Sequence, residues 1–320
     1  MSNVTTHTLI NLLQYMRPAY SLTEGVFCRT YLEPVFGEPD AHGNYILSVG
    51  DNPTIAFTAH TDTVHRIEGI QKLSVQDNFV KTTSGSCLGA DCTTGIWLLL
   101  GMIEAGIEGV YIAHAAEEIG GIGSSSLVAD KPEWLDNIQV CLSFDRFGTD
   151  SVITHQGGRR TASNEFAVSL AVILGMPQLK PDSTGTYTDS AEYTHVVPEC
   201  SNLSVGYYDQ HSSRESQDLL FAERLLERLI AADWSSLAVV RDPTQPESLD
   251  SSQWAYYPTE DEDDEEELLA IRRLVIDRPD AIAALLLDCG LDINSLCDEL
   301  KVSYSDAEYY KDECGYNSYY

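Results

Sequence analysis

The sequence predicts an α/β fold, in which a mostly parallel mixed sheet is sandwiched by helices and followed by a small C-terminal helical appendage. Two observations lead to this prediction. Short apolar, β-rich runs alternate with segments of helical spacing, which is typical of an α/β sandwich. The chain has 320 residues, 43% of them hydrophobic, and so can form a core domain of about 230–250 residues and still leave an additional segment.

Four apolar runs bounded by turn residues predict the strands of the sheet. They cover residues 54–60, 109–118, 140–145 and 202–208. Because the runs are nearly continuous in hydrophobicity, they favour parallel strands that are buried on both faces.

Segments between and after these runs have the spacing of helices. They cover residues 93–106, 123–135, 162–175 and 216–234. Strand and helix therefore follow each other along the main domain, which we predict to span residues 1–240.

The last quarter of the chain has a different composition. Eight consecutive acidic residues cover 260–267, and the segment from Asp242 onwards has 21 acidic and 5 basic residues, a net charge of −16 out of −31 for the chain. We predict an acidic linker at 241–267 and a small helical appendage at 268–320. A protein partner for this acidic segment is one possibility.

The composition also argues against several classes of protein. A net charge of −31 argues against non-specific nucleic-acid binding. No apolar run is long enough to span a membrane, and the N-terminus does not resemble a signal peptide, so we expect a cytoplasmic protein.

The eight scattered cysteines are expected to be reduced and buried. Cys87 and Cys92 are the two nearest to the candidate site residues, and we expect them to be small core residues.

Residue types that bind metals stand where the predicted strands end. His60 ends the first run, Glu117 and Glu118 end the second, Asp145 ends the third, and His211 follows the fourth within three residues. Because the carboxyl ends of parallel strands meet at one edge of a sheet, we expect these side chains to converge on one crevice.

Most of these residues, taken alone, also fit ordinary structural roles. A histidine after a strand is common, and Asp91, which precedes a helical segment, could be a helix cap. The adjacent Glu117 and Glu118 are harder to explain in this way, because two carboxylates after an apolar strand repel each other unless a cation compensates. One can bind a metal while the other serves as a general base.

Together the residues fit a site for two zinc ions, or for cobalt or manganese in their place. Asp91 has two oxygens and could bridge the ions, and each ion then needs about one more carboxylate and one imidazole. Asp62 lies on the same strand face as His60 and could orient its ring. The predicted metal ligands are His60, Asp91, Glu118, Asp145 and His211.

Several motifs in this order resemble the co-catalytic zinc exopeptidase superfamily, which includes bacterial aminopeptidases, peptidase T and deacylases related to acetylornithine deacetylase. The motifs are HTDTV at 60–64, LGADCTTG at 88–95, EEIGGIGSS at 117–125 and TDSAEY at 188–193, preceded by DAHGN at 40–44. The resemblance covers about two-thirds of the chain. The commoner form of LGADCTTG has Asp where Cys92 stands.

The resemblance implies an aminopeptidase that removes N-terminal residues from peptides. His60, Asp91 and Asp145 would hold one zinc, and Asp91, Glu118 and His211 the other, with Glu117 as general base and Asp62 as the residue that orients His60. Only 66 positions separate Asp145 from His211 and 31 separate His60 from Asp91. These intervals leave no room for the additional domains of related enzymes, which favours a branch without a lid domain.

Two alternatives remain at the level of the sequence. The same fold could carry an N-deacylase, a carboxypeptidase or a glutaminyl-cyclase-like enzyme, with an N-acyl amino acid or another amide as substrate. The chain could instead be an inactive relative that acts as an interaction protein through its acidic segment.

Overall fold

The structure is a computed structural model, and it describes residues 6–244 together with Ile282 and Leu286. The chain divides into two units, residues 1–248 and 249–320. The predicted linker at 241–267 lies almost entirely outside the described residues, and so does the predicted appendage at 268–320 apart from Ile282 and Leu286. In the described part, no helix is both long and apolar enough to cross a membrane.

Residues 6–244 of the first unit contain fifteen strands and seven α-helices. The strands are β1 (Tyr15–Met16), β2 (Tyr45–Val49), β3 (Ile55–His60), β4 (Gly69–Ile70), β5 (Leu73–Gln76), β6 (Phe79–Thr82), β7 (Gly109–His114), β8 (Val140–Arg146), β9 (Ser151–Ile153), β10 (His155–Gln156), β11 (Arg159–Arg160), β12 (Lys180–Asp182), β13 (Glu199–Ser204), β14 (Tyr207–Tyr208) and β15 (Ser216–Asp218). The helices are α1 (Thr6–Leu12), α2 (Leu22–Phe27), α3 (Glu33–Phe36), α4 (Ala90–Glu104), α5 (Ile122–Asp130), α6 (Asn164–Ile173) and α7 (Leu219–Ala231).

The main sheet has seven strands in the order β12-β9-β13-β8-β3-β7-β2. Its four central strands, β13, β8, β3 and β7, are parallel, whereas β2 pairs with β7 in the antiparallel direction. Three of the four predicted strands coincide with central strands to within a few residues, and the fourth overlaps β13. The predicted mostly parallel mixed sheet is therefore confirmed.

The central strands bury side chains on both faces, as their continuous hydrophobicity predicts. On β3, Phe57 and Ala59 belong to the large core beneath α1, α4, α6 and α7, whereas Ala56 belongs to a smaller core on the opposite face. On β7, Tyr111 and Ile112 divide between the two cores in the same way. This alternation follows from the two-residue period of a strand.

Helices α6 and α7 begin at residues whose side chains cap them. The Ser163 side chain accepts a hydrogen bond from the amide of Phe166 at the start of α6, and Asp218 caps α7 by accepting from the amide of Phe221. The buried side of α7 includes Leu225 and Leu229. The predicted helical segments thus correspond to α4, α5, α6 and α7.

A second sheet was not expected. It has the antiparallel order β14-β15-β6-β5 and joins the segment between His60 and Asp91 to the segment around His211. Residues 216–218, which we predicted as the beginning of a helix, form β15 instead, because they pair with β6 before Asp218 caps α7. The predicted fourth strand, 202–208, is divided between β13 in the main sheet and β14 in this small sheet.

Candidate active site

The five predicted ligands come together at the carboxyl edge of the main sheet. Asp91 lies between two imidazoles: its Oδ1 is 3.1 Å from Nε2 of His60, and its Oδ2 is 3.1 Å from Nε2 of His211. Nε2 of His60 is also 3.6 Å from Asp145 Oδ1, and Nε2 of His211 is 3.5 Å from Glu118 Oε2. The geometry is that of two half-sites that share the Asp91 carboxylate. The first half-site also has His60 and Asp145, and the second also has His211 and Glu118.

Neighbouring parallel strands place the first half-site. His60 is the last residue of β3, and Asp145 is the last but one of β8, which pairs directly with β3. Asp91 lies in the first turn of α4, where it and Cys92 have non-helical backbone angles. The structure therefore brings His60 and Asp145 together at the ends of neighbouring strands, and Asp91 joins them from the start of a helix.

Turns place the second half-site. β7 ends at His114, so Glu117 and Glu118 lie in the turn that follows it and not at the end of the strand, as the sequence suggested. Ala116 before them has a φ of 60°, and so does His211 in the turn between β14 and β15. Such backbone conformations are uncommon for residues with a Cβ and concentrate at functional sites.

Asp62 contacts the proposed ligand His60, which it was predicted to orient, and also the backbone of Glu117 and Glu118. Its Oδ1 lies 3.3 Å from Nδ1 of His60, and its two oxygens accept hydrogen bonds of 3.1 Å from the amides of Glu117 and Glu118. Nδ1 of His60 also donates to the backbone carbonyl of Asp62 over 3.1 Å. When Nδ1 carries a proton it donates to this carbonyl, and Nε2, which faces Asp91 Oδ1 over 3.1 Å, is the nitrogen on the side of the proposed metals.

Electrostatics in this cluster are dominated by burial. Burial raises the pKa of Glu118 to about 7 and that of Asp145 to about 6, and it raises the pKa of Glu117 well above its usual range. Burial opposes protonation of His211, but its contacts with Asp91 and Glu118 raise its pKa to about 11.

The donor set fits divalent metal ions. Oε1 of Glu118 is buried and has no hydrogen-bond partner within the described part of the chain, and an unpaired buried carboxylate is costly unless a cation compensates it. Each half-site brings imidazole nitrogen and carboxylate oxygen within 4.8 Å of one another, a combination that zinc accepts. A cavity of about 100 Å³ opens onto this cluster, and Phe147, Ile153 and Tyr187 line its other side.

Two supporting residues were missed at the sequence level. The carboxylate of Glu215, four residues after His211, accepts four backbone hydrogen bonds of 2.7 to 3.3 Å and so fixes the loop that carries Asp91. Arg17 is fully buried and donates to the carbonyl of Thr61, next to His60, and to the hydroxyl of Thr93. The donors to Glu215 are the amides of Leu88, Gly89, Ala90 and Asp91.

No local pattern identifies these two residues, because their partners are 44 to 127 positions away. Tyr187, which directly precedes the TDSAEY motif, lies on the cavity wall.

The fold is that of the zinc-dependent exopeptidases, as the motifs predicted. Aminopeptidase PepT from Bacillus cereus is 14% identical over 71% of this chain and 97% of its own, with a TM-score of 0.58. A tripeptidase from Staphylococcus aureus is 14% identical over 72% of this chain and 98% of its own, also with a TM-score of 0.58. The TET1 peptidase of Pyrococcus horikoshii is 15% identical over 72% and 100%, with a TM-score of 0.56.

At such low identity this likeness establishes the fold. No family model matches the sequence. No curated protein matches it at the level of sequence either.

Proposed function

We propose that the chain is a two-zinc aminopeptidase that removes N-terminal residues from peptides. The observation that carries this proposal is the position of Asp91 between His60 and His211, with the Glu117 carboxylate beside them. The fold, shared with an aminopeptidase and a tripeptidase, supports it.

The roles of the ligands follow from the two half-sites. His60, Asp91 and Asp145 would hold one ion, and Asp91, Glu118 and His211 would hold the other. When bound, the ions would supply Lewis acidity, which polarises a carbonyl group and makes water at the site more acidic.

Glu117 is the residue proposed to move protons. Its Oε2 lies 3.9 Å from Nε2 of His60, and the residue lines the cavity. The hydrogen bond from its own amide to Asp62 fixes the start of the side chain. Glu117 would take a proton from the attacking water and return it to the leaving amine, and burial, which raises its pKa, suits a group that must hold a proton near neutral pH.

The test combines metal content with an activity panel on the full-length chain. Aminoacyl, N-acyl-aminoacyl and N-terminal glutaminyl substrates are compared after chelation and reconstitution with zinc. We expect about two equivalents of zinc and turnover of the aminoacyl substrates. Binding of less than one equivalent would refute the metal site, and turnover of N-acyl substrates alone would refute the aminopeptidase.

A matched pair of variants tests the proton-transfer role. Glu117→Gln should lower kcat by about 10²–10⁴-fold, the usual contribution of a general base, with the zinc content unchanged. Glu227→Gln, an exposed position on α7, should behave as wild type. Full activity of Glu117→Gln would show that another group moves the proton.

A further inference from the structure

A thiol lies within the proposed metal site. Cys92 directly follows Asp91 and is completely buried, and its Sγ donates a hydrogen bond to the carbonyl oxygen of Phe144 over 3.2 Å. Sγ, a ring nitrogen of His60 and a carboxylate oxygen of Asp145 all lie within 4.8 Å of one another. Three donor atoms at this spacing can approach a single ion.

Cys92 differs in this respect from the other described cysteines. Cys28, Cys87, Cys141 and Cys200 are also buried and free, but none of these four joins a group of three potential metal ligands among the residues that the structure describes. Cys92 belongs to the large hydrophobic core, as expected, and in addition its thiol lies near two candidate ligands.

The backbone around Cys92 brings its side chain close to the site. Cys92 has non-helical backbone angles in the first turn of α4. A Cβ at Gly95 would overlap with both Sγ of Cys92 and the Phe144 carbonyl, so the glycine leaves the space that the thiol occupies between α4 and β8. Phe144 immediately precedes Asp145, and the thiol therefore lies against the backbone that carries a proposed ligand.

An independent observation indicates that a cation belongs in this cluster. Oε1 of Glu118 is buried without a hydrogen-bond partner in the described part of the chain, and the side chain of Glu118 is only 8% exposed. The carboxylates here outnumber the groups that could neutralise them, which favours binding of divalent cations.

We propose that Cys92 supplies a thiolate ligand to the ion held by His60, Asp91 and Asp145. This inference rests on the proposed function, because it concerns the same metal pair. On binding, the S–H bond breaks, its proton leaves to solvent, a metal–sulfur bond forms, and the Phe144 carbonyl loses its donor.

The consequence is a chemically unequal pair of ions. The half-site of His60 would offer nitrogen, oxygen and sulfur, whereas the half-site of His211 would offer only nitrogen and oxygen. Thiolates favour zinc and cobalt, while carboxylate-rich sites suit manganese and magnesium. The first half-site should therefore discriminate against manganese more strongly than the second.

Cobalt replacement tests the thiolate directly, because cobalt bound to a thiolate has a sulfur-to-metal charge-transfer band in the near ultraviolet. Full-length protein is reconstituted with Co²⁺, and bound cobalt is counted in parallel. We expect the band in wild type and in Cys87→Ser, the matched buried control, and its loss in Cys92→Ser and Cys92→Asp. Selectivity for zinc over manganese should fall by at least about tenfold in Cys92→Ser, the scale of effects for groups that support a metal site.

The outcomes separate the thiolate from the metal site itself. Two equivalents of cobalt without the band in wild type would overturn the role of Cys92 and leave the proposed function intact. Binding of less than one equivalent would overturn both. If the Cys92 variants fail to fold, X-ray absorption at the zinc edge of the wild type decides, since a sulfur neighbour at about 2.3 Å is required and its absence would refute the proposal.

Discussion

The carboxylate of Asp62 contacts three groups of the candidate site. It approaches the ring of His60 and accepts hydrogen bonds from the amides of Glu117 and Glu118. The strand-face argument placed Asp62 beside His60, but it did not predict the two amide contacts, because these depend on the turn after β7.

Replacing Asp62 by Asn should weaken metal binding. The Asn side chain has one oxygen for the two backbone amides of Glu117 and Glu118, so its NH₂ group must face one of these donors. The orientation of His60 and of these two glutamates is then lost. We expect zinc affinity to fall about 10–100-fold, measured by competition with a chromophoric chelator. Asp136→Asn, at an exposed position, is the control, and equal affinities of the two variants would contradict this account.

His65 provides a pH-dependent prediction outside the proposed metal ligands. Burial, and then the charge of Arg17, lower its pKa from 6.5 to about 4. Its ring is neutral when folded and contacts the Thr63 hydroxyl and the Cys87 carbonyl. Below pH 6.5 the unfolded chain binds a proton that the folded chain does not, so the free energy of unfolding should decrease from pH 6.5 to 4 by up to about 1.4 kcal/mol per pH unit.

Urea unfolding at several pH values in this range measures the effect. His65→Gln keeps a donor and an acceptor but cannot titrate, so its stability should depend less on pH than that of wild type. Parallel curves for the two proteins would show that His65 does not contribute.

At the scale of elements, the sequence predicted the buried parallel strands better than the connections between them. Continuous apolar runs identify β3, β7 and β8 because both faces are covered. The small sheet could not be predicted in this way, since its strands are short and β15 pairs with β6, which is distant in the sequence. The position of His211 depends on that sheet, whereas the sequence placed it three residues after a predicted strand of the main sheet and used it to complete the count of ligands.

The start of α4 yields a prediction for Glu215. Its carboxylate accepts from four amides, whereas the amide group of Gln offers one oxygen and would place NH₂ against some of these donors. Glu215→Gln should lower the free energy of unfolding by about 1–3 kcal/mol, the cost of unsatisfied buried polar groups, and should weaken zinc binding as well. Urea unfolding with Glu227→Gln as control measures this, and equal stability of the two variants would contradict it.

At the scale of the whole molecule, metal binding should stabilise the fold. Zinc bound to the native state alone adds about 2.7 kcal/mol at a concentration of 100 Kd. For a domain of this size that corresponds to a rise in Tm of roughly 5–10 °C. Thermal unfolding after chelation and after zinc addition tests this, and His211→Ala should show a smaller rise. An unchanged Tm at saturating zinc would contradict the proposed site.

The net charge is distributed unevenly over the whole molecule. About half of the net charge of −31 comes from the segment after Arg241, which lies almost wholly outside the described residues. The acidic residues of the site belong to the first unit and are held by its own strands and turns. The acidic residues of the site therefore do not come from the segment that carries about half of the net charge, and the role predicted for that segment stays a prediction.

Asp91 contacts a histidine at the end of a main-sheet strand and another in a turn of the small sheet, and this gives the proposed metals a role in local dynamics. β3 and β8 of the main sheet carry His60 and Asp145, while the turn between β14 and β15 of the small sheet carries His211. Any opening that separates the small sheet from the main one must break the second half-site. Occupancy by metal should therefore slow hydrogen exchange at the amides of β6 and β15, so that this sheet reports the state of the site even when no substrate is present.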